Sequence, residues 1–211
     1  MSQSTLIMSQ KHQEDLLHIR SMMERSSRFI SLSGLSGIFA GITALIGGAY
    51  VCVLFENYGI DYLTAERRVY NIDLIKELIV TALLILVFAV SLGVFFTVRK
   101  SQKNNLPVWT SSSKNLLFNL ALPLFIGGIF CTALLYHNLI AFIAPSTLIF
   151  YGLALINAEK YTFSDIKYLG ISEAFLGCLS LFFLGKGLYF WMFGFGILHV
   201  FYGIILFKKY K

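Results

Sequence analysis

The chain has 211 residues, of which 57% are hydrophobic and 13% are charged. Soluble domains carry about 25% charged residues, so this composition excludes an ordinary soluble domain and predicts a protein embedded in a bilayer. The net charge of +6 does not indicate nucleic-acid binding, because the basic residues lie mainly at the ends of apolar segments.

The first thirty residues are polar and predict a cytoplasmic tail that ends in a short amphipathic helix. Leu16, Ile19 and Met23 share one face of that helix. We expect it to lie on the membrane surface and to anchor the first span. Binding of anionic lipid or of a partner protein is the alternative.

Six apolar segments follow, and they predict an all-α integral membrane protein with a single membrane domain over residues 31–211. The expected arrangement is three antiparallel hairpins. Of the Lys and Arg residues, 13 fall on one predicted side of the membrane and 4 on the other, which places both termini in the cytoplasm. The predicted spans are residues 32–55, 76–98, 115–136, 139–157, 166–184 and 187–207.

The first segment is rich in small residues. Gly34, Gly37 and Gly41 lie on one helical face. Such a face lets two helix backbones approach closely, so it predicts packing against another helix, either within the chain or across a homo-oligomer.

The third and fourth segments each contain a proline. Pro123 cannot donate a hydrogen bond to the carbonyl of Asn119, so we expect a kink there, with the Asn119 side chain helping to satisfy the opened backbone. Pro145 lies in the outer half of the next segment. Simple kinks are one interpretation, and a broken-helix binding pocket formed by both prolines is the other.

The last predicted hairpin holds an acid and a histidine deep in apolar sequence, Glu173 and His199. Each lies about 18–20 Å from the connecting turn, so an antiparallel pair would bring them to one depth. Each also shares a face with small residues, and we expect these two faces to meet. The small residues are Gly170, Gly177 and Ser180 beside Glu173, and Gly196 and Gly203 beside His199.

Polar groups in hydrocarbon are costly and normally turn toward a partner or a wet cavity. The pair therefore has two interpretations. It is either an interhelical hydrogen bond that fixes the packing or a protonatable site in a transport path.

A short motif recurs in the fourth and sixth segments. Phe150-Tyr151-Gly152 and Phe201-Tyr202-Gly203 both precede a lysine by a few residues. The recurrence favours tandem two-helix repeats in parallel orientation. Phenylalanine, tyrosine and glycine are frequent in this chain, so a chance match is the alternative.

The run RSMMERSSRFISLSGLSGIFAGITALIGG, from Arg20 to Gly48, resembles the start of a family of small bacterial inner-membrane proteins of uncharacterised activity. The resemblance covers about thirty residues. It implies a bacterial inner-membrane location and no catalytic residues.

No combination of residues in the sequence has the spacing of an enzyme site, a metal site or a haem site, so neither catalysis nor a cofactor is expected. Cys52, Cys131 and Cys178 are expected to be buried small side chains. Two functions remain open. One is a small-solute or proton-coupled transporter. The other is an accessory or sensory protein that acts through helix packing and its N-terminal arm. The lipid bilayer is the expected partner, and the substrate is not indicated.

Overall fold

The computed structural model describes residues 33–60 and 70–210, and this part of the chain is helical and contains no strand. The predicted all-α class is therefore confirmed. Within these ranges, five helices are long and apolar enough to cross a membrane. The predicted N-terminal amphipathic helix lies outside the described residues.

From Ile72 onward, the main helices follow one another with short connections. Asn138 allows the tight turn after the third helix because it adopts φ 57°, which asparagine tolerates better than most residues. The helices are α1 (Gly34–Asn57), α2 (Ile72–Lys103), α3 (Ser111–Tyr136), α4 (Ile143–Ala158), α5 (Ile166–Ser180), α6 (Gly187–Trp191) and α7 (His199–Lys209). Short 3-10 turns cover Ile140–Phe142, Glu159–Tyr161 and Leu181–Lys186. A π-helical segment, Met192–Leu198, joins α6 to α7, and these three pieces together are called the last span.

The fifth predicted span, residues 166–184, is shorter than expected. Helix α5 ends at Ser180, and Phe183 in the following 3-10 turn leaves helical geometry with φ −130° and ψ 52°. Its 15 residues rise about 22 Å, less than the roughly 30 Å of a hydrocarbon core. The 3-10 turn adds about 12 Å, so only the two pieces together reach the length of a span.

The helices pack in two groups. Helix α1 packs on α2 and on α7, whereas α4 packs on α3 and on α5. Helix α5 contacts the last span less than it contacts α4, so the final pair does not pack mainly as a hairpin. The two groups meet where α4 contacts α6 and where α5 contacts the π-helical segment.

Glycines bring the backbones of α1 and α7 into direct contact. A Cβ added at Gly203 would lie 2.6 Å from the Ile38 nitrogen and 2.7 Å from the Gly34 oxygen. A Cβ added at Gly37 would lie 3.2 Å from the Gly203 Cα. The glycine face of the first span therefore packs within the chain.

Helices α2 and α3 form the outer surfaces. Only 6% of the most apolar window of each helix is buried. Their exposed side chains are large and apolar, including Leu83, Phe88 and Phe125, each more than half exposed. Such surfaces suit contact with lipid.

Because the α1–α7 contact leaves no room for a methyl group, Gly203→Ala should lower the free energy of unfolding by about 1–3 kcal/mol. The measurement is thermal or denaturant unfolding in detergent micelles. Gly93→Ala is the matched control, since nothing lies within 4 Å of the Cβ it would add. Equal stability of the two variants would contradict the tight contact.

Candidate functional site

Glu173 and His199 lie side by side inside the protein. Glu173 is 0% exposed on α5 and His199 is 5% exposed at the start of α7. The His199 Nδ1 is 3.2 Å from the Glu173 Oε1. The structure therefore brings together the two residues that hydropathy placed at one depth.

The small-residue faces around the pair do not meet each other, contrary to expectation. Gly170 and Gly177 of α5 lie against α4, and Gly196 and Gly203 lie against α1. The glycines of α5 thus allow close packing on α4, and those of the last span allow close packing on α1. Glu173 and His199 are thus brought together by the packing of α5 on α4 and of the last span on α1, and not by direct contact between their two glycine faces.

The His199 ring has a partner on both nitrogens. Nδ1 lies 3.0 Å from the carbonyl oxygen of Gly194, and Nε2 lies 2.8 Å from the hydroxyl oxygen of Tyr151 on α4. The rings of Tyr151 and Phe195 stand 5.2 and 5.8 Å from the imidazole. The ring is therefore held by two other segments of the chain, α4 and the π-helical segment.

The π-helical segment makes room for the carboxylate. A Cβ at Gly194 would lie 2.5 Å from the Glu173 Oε2 and 2.6 Å from the Leu148 Cδ2. Only glycine lets the carboxylate approach the helix this closely. π-Helical turns are rare and frequently occur at functional sites.

Two protonation patterns leave this dry cluster uncharged. Either Glu173 is protonated and His199 is neutral, with Nδ1–H donating to Gly194 and the Tyr151 hydroxyl donating to Nε2, or Glu173 is ionised beside a charged His199. The two patterns hold the same number of protons and differ in whether the carboxylate or the imidazole carries the second one, and the Nδ1–Oε1 distance between the two groups is 3.2 Å. Any other pattern leaves net charge in a low-dielectric interior, which is costly.

Four buried side-chain oxygen atoms of α5 and α7 lack a hydrogen-bond partner among the described residues. The atoms are Glu173 Oε1 and Oε2, Ser180 Oγ and Tyr202 Oη. The Glu173 Oε1 is near Nδ1, but the Nδ1 hydrogen bond is aligned with the Gly194 carbonyl instead. Buried polar groups are normally paired, so unpaired ones require an explanation.

A second polar contact joins α3 to α4. The Asn119 carbonyl, which Pro123 leaves open, accepts a 2.9 Å hydrogen bond from the Asn157 side chain. The Asn119 side chain instead donates to the Asn115 carbonyl. The expectation that Asn119 itself compensates for the proline is therefore wrong, because Asn157 of the neighbouring helix does so.

The two prolines do not form one pocket. Pro145 is fully buried in the first turn of α4, beside Gly177 and Gly187. Asn157 bonds the carbonyl that Pro123 leaves open, and it lies twelve residues beyond Pro145 along α4, or about 18 Å away.

A third polar cluster closes the end of the molecule where α7 finishes. The Lys209 Nζ lies 2.8 Å from the Asp165 Oδ2, and the Tyr210 hydroxyl donates to the same oxygen at 2.8 Å. Lys100 of α2 donates to the Tyr210 carbonyl, and the Phe163 ring stacks on the Tyr210 ring at 3.9 Å. The cluster therefore ties α2, α5 and α7 together.

Burial alone would raise the pKa of Asp165, but the hydrogen bonds from Lys209 and Tyr210 outweigh it, so the pKa lies below its ordinary value. A lowered pKa means that the ionised form stabilises the fold. That stability is present above the ordinary aspartate value of about 3.9 and is lost as the pH falls through the folded-state value.

The remaining chemistry-bearing residues do not join the site. No group of His, Cys, Asp and Glu that could hold a metal ion occurs in the described ranges. All three cysteines are free, and none is buried as expected, since Cys52 and Cys131 are half-buried and Cys178 is exposed. A groove of about 520 Å³ between α1 and α2, lined by Thr43, Tyr50 and Leu84 among others, is not lined by Glu173 or His199.

Sequence reasoning missed the residues that complete the site. Gly194 and the π-helical segment have no periodic signal in the sequence. Tyr151 and Tyr202 carried a signal, since both are the central residue of the recurring Phe-Tyr-Gly motif. No protein-family model, curated protein or solved structure matches the chain.

Removal of the Asn157 amide should leave the Asn119 carbonyl unpaired and lower the free energy of unfolding by about 1–2 kcal/mol. In a Pro123→Ala background the helix can bond that carbonyl itself, so Asn157→Ala should then have a smaller effect. A double-mutant cycle measured by unfolding in micelles tests this coupling. Additive effects of the two substitutions would contradict it.

The Asp165 cluster predicts a pH-dependent stability. The wild-type melting temperature should fall below about pH 4 as Asp165 becomes protonated. Asp165→Asn should melt about 2–4 °C lower at neutral pH, the shift that about 1 kcal/mol produces at this size, and should lack that part of the acid loss. Asp73→Asn, in an exposed pair with Lys76, should keep the wild-type slope. An unchanged slope in Asp165→Asn would contradict the assignment.

Proposed function

We propose that the chain is a proton-coupled transporter of a small solute, with Glu173 and His199 as its proton-carrying pair. The observation that supports this most is a carboxylate that is 0% exposed, lies beside an imidazole and has no aligned donor to either oxygen. A buried ionisable group at membrane depth is a functional-site candidate by default.

Charge balance gives such a pair a way to couple. The cluster has no net charge at only one number of bound protons. Addition or loss of a proton therefore leaves a charge that must be offset by a second charge or by entry of water. A transported ion or polar solute can supply that compensation. Proton binding and solute binding then become linked through the same site.

The proposed topology has six spans, the fifth composed of α5 and its 3-10 turn, with both termini in the cytoplasm. Lys100 and Lys209 lie at one end of the molecule, the end that carries most of the basic residues in sequence. The positive-inside rule assigns that end to the cytoplasm. The bacterial inner membrane is the expected location, from the resemblance of residues 20–48.

A homo-oligomer through the first helix is also part of this proposal. The glycine face of α1 packs on α7, so such a contact would use its other side chains. Ile46 and Tyr50 are 67% and 52% exposed.

The second candidate is an accessory or sensory membrane protein in which the pair only fixes helix packing. The observation that favours it is the close packing around His199, whose ring has partners on both nitrogens. Access of water separates the two candidates, because a transporter must wet its site in at least one state.

The test is thiol labelling of Glu173→Cys and of His199→Cys, each in a background without Cys52, Cys131 and Cys178. A charged, membrane-impermeant thiosulfonate is applied to intact and to opened vesicles. We expect at least one of the two positions to label, because a cavity wide enough to pass a small polar solute also admits a reagent of similar size.

Phe175→Cys is the matched control, since Phe175 is on the same helix as Glu173 and its 65% exposed side chain belongs to the outer surface. It should label at least tenfold more slowly than the reactive site position. Complete protection of both site positions in folded protein would contradict the transporter and favour the packing role.

A further inference from the structure

Two contacts fix the register of α5 against α7. Glu173 lies against His199, and Asp165, just before α5, is bonded to Lys209 at the end of α7. As residue numbers rise along one helix they fall along the other, so the two helices run antiparallel. The seam between them leads from the buried pair to the end cluster over about 12 Å of α5.

Tyr202 lies within that seam. It follows His199 by three residues, about 4.5 Å along α7, and precedes Lys209 by seven, so the three share one helical face. Tyr202 and Tyr151 pack against the same buried cluster of Leu155, Ile166 and Leu169. The Tyr202 hydroxyl is buried and has no hydrogen-bond partner among the described residues.

We propose that Glu173 exchanges its proton with water at the Asp165–Lys209 end of the molecule, through Tyr202, Tyr151 and His199. The route rests on the proposed function, since it assumes that the pair exchanges protons at all. The side chain of Asp165 is 19% exposed and that of Lys209 is 53% exposed, so the seam begins at solvent.

The transfer balances at each atom. A proton that arrives at the Tyr202 hydroxyl releases that group's own proton toward the Tyr151 hydroxyl, a step that requires water to enter the seam from the Asp165 end. Tyr151 in turn protonates Nε2 of His199, and His199 releases the proton on Nδ1 to the Glu173 carboxylate. The transfer starts from ionised Glu173 with His199 protonated on Nδ1, and it moves one proton from water to Glu173. His199 is left neutral with its proton on Nε2, facing the Tyr151 hydroxyl, and its Nδ1 accepts from the new carboxyl proton.

Along α5 itself, the opposite direction offers only one such group. Ser180 lies seven residues from Glu173, about 10 Å along α5, and its buried hydroxyl is also unpaired. The residues between them are apolar or glycine apart from Cys178, which is exposed. Between Glu173 and Ser180, α5 therefore supplies no buried polar side chain that would continue a path toward the turn.

Titratable groups around Glu173 come from few elements. Tyr151 belongs to α4 and His199 to α7, where Tyr202 follows about one turn further along. On α6, Tyr189 is 44% exposed, and the described residues of α1 that face the last span are glycine and aliphatic. Few titratable groups are therefore close enough to exchange a proton with Glu173 or to balance a change in its charge.

The experiment follows the carbonyl band of the protonated Glu173 by infrared difference spectroscopy, assigned by its loss in Glu173→Gln. Sealed proteoliposomes carry a C-terminal tag, which marks the Asp165 side because Lys209 is bonded to Asp165. Vesicles with the tag outside and vesicles with the tag inside are separated, and only the outer pH is stepped. We expect a prompt response in the tag-outside vesicles and one at least tenfold slower in the others.

Tyr202→Phe should slow the response at least tenfold while leaving the melting temperature unchanged, because the hydroxyl it removes bonds no described residue. Ser180→Ala is the matched control and should respond like the wild type. A faster response in tag-inside vesicles, or slowing by Ser180→Ala but not by Tyr202→Phe, would overturn the route while leaving a protonatable pair. No response from either side would overturn the route and remove the proton-coupled function with it.

Discussion

The structure depends on the burial of one carboxylate among apolar helices. A carboxylate in a low-dielectric interior is tolerated only when a neighbour balances its charge or a proton neutralises it. Glu173 has His199 for this, 3.2 Å away, and His199 is in turn positioned by Gly194 and Tyr151. Through these contacts one acid links α5, α4 and the last span, which belong to the two separately packed groups of helices.

Glycine contacts set where that link forms. The backbones of α1 and α7 meet at Gly34 and Gly203, and those of α4 and α5 meet at Gly152 and Gly170. In each pair an added Cβ would collide with backbone atoms, so neither pair can slide or separate without losing close contact. The two rigid pairs leave the polar seam between them. Movement of one helix pair relative to the other would therefore change the distances between the polar groups of the seam.

The sequence predicted much of this fold and less of the site. Hydropathy located the five long helices and the common depth of Glu173 and His199, because both depend only on local composition and a constant rise per residue. It did not predict the early end of α5 at Ser180, which follows from the break at Phe183. Nor did it predict Asn157 as the partner of the Asn119 carbonyl, since that bond depends on how α3 and α4 are aligned.

A comparison of two interhelical polar contacts in this chain bears on what the pair does. The Asn157–Asn119 bond joins one donor to one acceptor, at a position where Pro123 had left the acceptor open. It shows what a purely structural contact looks like, in which the atoms that would be unpaired are paired. Glu173 differs, because it is fully buried yet both of its oxygens lack an aligned donor among the described residues. A group selected only to hold helices together would lose stability by this arrangement. Under the proposed function, the same geometry suits a carboxylate that gains and releases a proton.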